Sequence, residues 1–331
     1  MNNVLSCFFP TTIVLVDDSV SFLDSLTEAI SVPNVTFKKF TKPSEALKYI
    51  NDISNINRLD CSDLTIDGEE GTSDWKSILL NINCLHREIY SLDRFSRIST
   101  VVVDYSMPKM NGVELCSGIN DKSIQKVLLT GVADEKVAIE AFNGGYINRF
   151  VKKGVDSFEA ETIENINKSI YQYFKAHTDD ISRHLSVYDK THLKDPIFAN
   201  FFFNTCLSRT YVEYYMLDTL GGYLFLNSQG QPSLLSVLTE YEIGRIVDIG
   251  IESGEVSCDV LDGLKSREYM LVSHNRTGQL PPIAEWGNYL RPARRLDGYQ
   301  TYYFSFAGAE SLDLDFNNIK SFDQFRKMSG A

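Results

Sequence analysis

The chain has 331 residues, 43% of them hydrophobic and 23% charged, so it has enough apolar surface to bury and is not a disordered chain. Its 44 acidic and 32 basic residues leave a formal charge of −12, which disfavours non-specific binding to nucleic acid or to an anionic membrane. At ~100–200 residues per domain, the length predicts two domains.

Residues 12–16 (TIVLV) form a continuous, mostly β-branched run that predicts a strand buried on both faces. SFLDSLTEAI (21–30) has a helical apolar period, VTFKKF (35–40) reads as a second strand, and PSEALKYI (43–50) restarts a helix with Pro43 near its first turn. TVVVD (100–104) is another buried strand, followed by helical NGVELCSGI (111–119). KVLLT (126–130) is a strand, ADEKVAIEAF (133–142) a helix, INRFV (147–151) a fifth strand, and residues 156–177 a long amphipathic helix. Strand–helix alternation repeated five times predicts a doubly wound parallel sheet. Residues 53–98 interrupt it, far exceeding the ~2–6 residues of an ordinary αβ connection, and read as an insertion. The insertion has an acidic, turn-rich first part and a second part, WKSILLNINCLHREI (75–89), with helical apolar spacing. Its expected content is a helix packed on its own domain.

After about residue 180 the rhythm changes. The expected organisation is a first domain over 1–181, a polar linker over 182–196 and a second, α+β domain over 197–331. The second domain holds 21 of the 39 aromatic residues, which makes a separate core there the simplest reading. YVEYYMLD (211–218) and GGYLFLN (221–227) predict strands, with a turn at 227–230. Residues 233–251 and 256–270 read as helical, NRTGQLPP (275–282) as a loop, and YQTYYFSF (299–306) as a strand. No apolar run approaches the ~18–20 residues of a membrane-spanning helix. The start carries no early Lys or Arg and is interrupted by Pro10, so it reads as a lead-in plus a strand and not as a signal peptide. Cys7, Cys61, Cys84, Cys116, Cys206 and Cys258 are scattered without a CxxC pair, which fits reduced thiols in a cytoplasm better than disulfides or zinc.

Asp17 and Asp18 end the first strand and Asp104 ends the third. In a sheet of order 2-1-3-4-5 these strands are neighbours and their carboxyl ends meet where ligands bind. Three carboxylates in one crevice need a cation, and an all-oxygen donor set favours Mg²⁺. Single strand-end aspartates often only cap the next helix; three on the two central strands exceed that need. Thr130 ends the fourth strand and offers a hydroxyl to a phosphoryl oxygen, and Lys153 follows the fifth with a point charge.

These residues resemble the receiver domain of two-component response regulators over residues ~11–177. The matching pieces are VDD (16–18), VVVDYSMPKMNG (101–112), VLLTG (127–131) and RFVKKG (149–154). The resemblance implies a flavodoxin-like fold with Asp104 as phosphoacceptor, and Mg²⁺ held by Asp17, Asp18, Asp104 and the backbone carbonyl of Ser106. It also implies Thr130 and Lys153 on the phosphoryl group and Phe150 as the switch aromatic. Lys153, not its neighbour Lys152, has the family's three-residue spacing from that aromatic. Gly131 and Gly154 stand where the family usually has Ala and Pro, and the 53–98 insertion is the largest departure. The implied partner is a sensor histidine kinase or phosphotransfer protein, with homodimerisation on phosphorylation as the expected response. No enzymatic activity is expected beyond Mg²⁺-dependent phosphorylation and dephosphorylation of the domain itself.

The second domain has no decisive motif. Its 16 acidic against 11 basic residues disfavour DNA binding, and the basic cluster Arg291, Arg294 and Arg295 reads as a solvated loop. GGYLFLNSQGQPSLL weakly resembles a PAS-like module, which implies ligand binding or association. The alternative is a divergent nucleotide-handling output using Asp313 and Asp315, which alternate in LDLDF as paired metal ligands would.

Overall fold

The computed structural model describes residues 3–30, 32–57, 65–67, 78–80, 88–131, 135–186, 191–217, 221–272, 280–308, 312 and 314–329. The chain forms two compact units, each assembled from separate stretches. One takes Phe9–Asp60, Leu92–His177 and Gln324–Ala331; the other takes Met1–Phe8, Cys61–Ser91 and Thr178–Asp323. Composition divides the chain once, at 182–196, whereas the fold interleaves it. The helix Phe158–Ser186 also runs on into the polar stretch.

In the first unit five parallel strands are β1 (Thr11–Val16), β2 (Val35–Phe40), β3 (Ile98–Asp104), β4 (Gln125–Thr130) and β5 (Arg149–Lys152). Their order is β2-β1-β3-β4-β5, as the alternation predicts. The helices are α1 (Val20–Ala29), α2 (Pro43–Ile56), α3 (Gly112–Ser117), α4 (Glu135–Asn143) and α5 (Phe158–Ser186). β1, β3 and β4 are buried along their whole length, which is why each carries a run of three or four consecutive apolar residues and not an alternating pattern. Val14, Val16, Val101, Val103 and Leu128 share one core layer with Ala46 and Ile50 of α2, Leu115 of α3 and Ala138 of α4. Their chain neighbours Leu15, Val102 and Leu129 are equally buried and point to the opposite face.

The second unit is built on a six-stranded antiparallel sheet. Cys7–Phe8 lies at one edge, then β6 (Tyr211–Met216), β7 (Gly222–Asn227), β8 (Pro232–Thr239), β12 (Thr301–Ala307) and β11 (Arg294–Asp297). A separate pair joins β9 (Tyr269–Leu271) to β10 (Leu290–Pro292). Helix α6 (Pro196–Ser208) sets the fully buried rings of Phe198 and Phe202 against the sheet. Phe202 lies 4.9 Å from Tyr214, 5.0 Å from Tyr223 and 5.1 Å from Phe225, between ring centroids. The aromatic richness of this half is therefore core packing, with each such pair contributing ~0.5–1.5 kcal/mol beyond its buried area.

Asp195 fastens this core. One carboxylate oxygen accepts from the backbone of Ile197 at 2.8 Å and Phe198 at 3.5 Å, capping α6. The other accepts from the Tyr302 hydroxyl at 2.9 Å and the Tyr299 backbone. Gly298 is required beside it, because a Cβ there would collide with that same oxygen. Burial works against ionisation of Asp195, but the hydrogen bonds from Tyr299, Ile197, Tyr302 and Phe198 outweigh it and hold the carboxyl below its ordinary pKa.

Several local expectations are corrected. Residues 233–251 are not one helix: β8 ends at Thr239, and α7 (Glu240–Ser253) begins there, with Thr239 and Glu242 forming a reciprocal capping box. Residues 256–270 divide into α8 (Cys258–Lys265) and the start of β9. Within the inserted stretch Ile78–Leu80 is a strand paired with Thr65–Asp67, where apolar spacing predicts a helix; three consecutive apolar residues suit either once a partner strand is available. Most of the expected 275–282 loop lies outside the described residues. Cys7, Cys116, Cys206 and Cys258 are free thiols, and Cys61 and Cys84 lie outside the described residues. Burial pushes the Cys116 and Cys206 thiols up to about 12, so both stay protonated and unreactive at neutral pH. Among the described residues no helix is long and apolar enough to cross a membrane.

Candidate functional site

The carboxyl ends of β1, β3, β4 and β5 bring four of the expected residues together. Asp17 follows β1 directly and is 3% exposed. Its Oδ1 accepts the Ser19 backbone N–H at 2.9 Å, and Ser19 in turn caps α1 by accepting from the Phe22 backbone. Asp104 closes β3 and is 7% exposed. Behind it the chain folds back tightly: the Gly112 N–H donates to the Tyr105 carbonyl at 3.0 Å, and Lys109 takes a left-handed conformation at φ 71°. A Cβ on Gly112 would collide with the Asp104 carbonyl, so glycine at this position sets how closely the loop approaches. Asn111 and Glu114 form a capping box that starts α3 as the loop ends.

Lys153 joins the two aspartates. Its Nζ lies 2.7 Å from Asp17 Oδ2 and 2.7 Å from Asp104 Oδ1. Its backbone N–H donates to the Thr130 carbonyl at 2.8 Å, which ties the loop after β5 to the end of β4. Lys152 points elsewhere, its ammonium 3.5 Å from Glu135. The two adjacent lysines thus have different partners, and the one on the aspartates is the one with the spacing of the receiver motif. A residue that sequence reasoning missed completes the arrangement. Phe22, in the first turn of α1, places its ring centroid 3.9 Å from Lys153 Nζ, a cation–π contact that holds the ammonium over the crevice. Its only trace in the sequence is its position in the first turn after the Asp17-Asp18-Ser19 run.

Thr130 is 1% exposed, and its hydroxyl has no hydrogen-bond partner among the described residues. An unmade buried hydrogen bond costs ~1–3 kcal/mol, and here the orphan sits on the strand beside Asp104. Phe150 is half-buried on β5 and packs against the core layer of β3 and β4. Asp18 is exposed, as is Ser106 in the loop after β3. Among the described residues no three acidic, His or Cys side chains cluster as a metal centre, and the cation between the two aspartates is Lys153. Two carboxylates on one ammonium leave a net negative charge, and the donors on offer are carboxylate and carbonyl oxygens. That chemistry fits a hard divalent ion such as Mg²⁺, provided Lys153 gives up a partner.

The residues expected to serve the second half are dispersed. Asp313 lies outside the described residues. Asp315 is not in a strand: it caps the short 3₁₀ turn Phe316–Asn318 by accepting from the Asn317 backbone at 3.2 Å. Arg291 donates to the carbonyls of Asn288 and Leu290, and Arg295 pairs with Asp297 at 2.8 Å.

No protein-family model matches the chain, and no curated protein matches it. Among solved structures it is similar to the Legionella pneumophila response regulator LqsR, with 34% identity, 98% of this chain and 95% of that chain covered, and a TM-score of 0.80. A response regulator receiver domain protein from Clostridium thermocellum aligns at 18% identity over 48% of this chain and 94% of that one, with a TM-score of 0.33. A CheY-like receiver domain protein from Methanospirillum hungatei aligns at 15% identity over 50% and 98%, with a TM-score of 0.34.

Proposed function

From the premise that this chain belongs to the response regulator family, we propose that it takes a phosphoryl group onto Asp104 from the phosphohistidine of a sensor histidine kinase or phosphotransfer protein. The observation that carries this reading is the shared Lys153 ammonium on two buried aspartates, with an unsatisfied Thr130 hydroxyl beside them. An oxygen of Asp104 attacks phosphorus, the P–N bond breaks with its electron pair passing to the departing imidazole, and the product is an acyl phosphate. The carboxylate charge that held Lys153 to Asp104 is then gone, so the ammonium turns to a phosphoryl oxygen. Thr130 donates its hydroxyl to another, and Phe150 moves toward the space that Thr130 leaves. Asp17, Asp18, Asp104 and the Ser106 carbonyl are the groups that would hold Mg²⁺, which when bound supplies positive charge against the phosphoryl oxygens.

Because two carboxylates share one ammonium, Mg²⁺ is expected to raise the melting temperature by mass action, at ~2.7 kcal/mol when its concentration is a hundred times the dissociation constant. Asp18→Ala, which removes an exposed ligand and no core contact, should reduce that rise. Equal Mg²⁺ responses of the two proteins in a thermal melt would place the ion elsewhere.

The output is proposed to be association. On α4 and just beyond it Ile139, Phe142 and Tyr146 are 45%, 50% and 50% exposed, an apolar strip beside β5, the strand that carries Phe150. Turning a 1:99 monomer–dimer balance into 99:1 takes ~5.5 kcal/mol. New charged hydrogen bonds from Thr130 and Lys153 supply ~1.5–3 kcal/mol each. Light scattering over a concentration series should show a mass increase on phosphorylation, lost in Phe142→Glu. A mass unchanged by phosphorylation at every concentration would reject this output.

A further inference from the structure

The antiparallel unit contains an open surface cavity of about 160 Å³ lined by the exposed Arg209, Pro292 and Arg294 together with Ser305 and Phe306. It forms because β11 begins at Arg294, opposite Phe304, while β12 runs on through Ser305 and Phe306 to Ala307 with only β8 beside it. Arg209, at the end of α6, closes the other side with its guanidinium 4.1 Å from the Phe306 ring. In a chain of net charge −12, neither Arg209 nor Arg294 pairs with a carboxylate among the described residues. Ser305 is 4% exposed, and because it alternates with Phe306 along β12 its side chain lies on the opposite face of the strand, leaving the two guanidiniums as the donors of the cavity. The basic cluster near residue 294 is therefore not one surface: Arg291 and Arg295 have protein partners, and Arg294 goes to the cavity.

We infer that this cavity binds a phosphoryl dianion, as inorganic phosphate or as the head of a small phosphorylated metabolite. Guanidinium groups stay charged at any physiological pH and present paired donors that match two oxygens of a phosphate. Stacking on Phe306 occupies the face of Arg209 and leaves its N–H edge for a ligand. Two such forks suit a group with three terminal oxygens better than a carboxylate, which one fork satisfies. An apolar cavity of ~150 Å³ accommodates benzene, so the volume here takes a phosphate and the first few atoms attached to it.

The test uses the full chain with a chelator present, so that no metal-dependent response of the Asp104 site contributes. Inorganic phosphate, phenyl phosphate and acetate are compared at equal ionic strength, by melting temperature and by phenylglyoxal labelling mapped with peptide mass spectrometry. Phosphate or phenyl phosphate should protect Arg209 and Arg294 while leaving Arg291 and Arg295 labelled as before, and acetate should not. Stronger protection by phenyl phosphate identifies an organic phosphate; equal protection identifies the free ion. Arg294→Gln should weaken the apparent affinity at least tenfold, with Arg294→Lys intermediate. Labelling of Arg209 and Arg294 unchanged by either phosphate, a melting response that survives in Arg294→Gln, or acetate acting as well as phosphate would each overturn the proposal. The labelling is done on the unaltered protein, so it decides the matter even if the variants fail to fold.

Discussion

Asp104→Asn is expected to bring the uptake of acid-labile phosphate from acetyl phosphate below detection, read by intact mass. The carboxylate oxygen is the nucleophile of the proposed reaction, and an amide of the same shape is not one. The fold should survive the change. Lys153 keeps its 2.7 Å pair with Asp17, and the backbone contacts of the loop behind Asp104 do not involve its side chain. Loss of a negative charge also leaves the remaining pair neutral, so the melting temperature should hold while the phosphate is lost. If the variant gained the same phosphate as the unaltered protein, the acceptor would be another residue.

Asp195→Ala should produce the largest loss of stability, on the order of 3–5 kcal/mol for stranding several buried donors at once. It leaves the Tyr302 hydroxyl and the Tyr299, Ile197 and Phe198 N–H groups without their acceptor and uncaps α6. The carboxyl lies below its ordinary pKa when folded, because its hydrogen bonds outweigh its desolvation. Its stabilisation is therefore present above the unfolded value near ~3.9 and is lost as the pH falls through the lower folded value. Denaturant melts should show the variant losing less stability than the unaltered protein between neutral pH and acid. Parallel pH profiles for the two proteins would mean that Asp195 does not carry the effect.

The parallel sheet was legible because strands buried on both faces, such as TIVLV and KVLLT, carry consecutive apolar residues with polar ones only at their ends. Legibility of the site follows, since Asp17, Asp104, Thr130 and Lys153 are placed by strand ends and not by loop conformation. Phe22 was not legible: its contact with Lys153 depends on where α1 starts, and Ser19 determines that. In the second half the errors share a cause. SLLSVLT suits a strand and a helix equally by its apolar content, and only the T-x-x-E pattern at Thr239 and Glu242 marks the boundary. The pairing of Cys7 with Tyr215 and the approach of Gly298 to Asp195 join residues far apart in the chain, and no local pattern announces either. The Arg209–Arg294 cavity is of the same kind. Composition could show a basic cluster, but not that one member turns to a pocket while its neighbours find partners.

The most direct test of the account is to locate the phosphoryl group chemically. Protein treated with acetyl phosphate and Mg²⁺ is reduced with borohydride, which converts an acyl phosphate on aspartate to homoserine, and its peptides are sequenced by mass spectrometry. The account predicts homoserine at position 104 and unaltered aspartate at 17 and 18. Homoserine at 17 or 18, or full phosphate incorporation with position 104 unaltered, would contradict it.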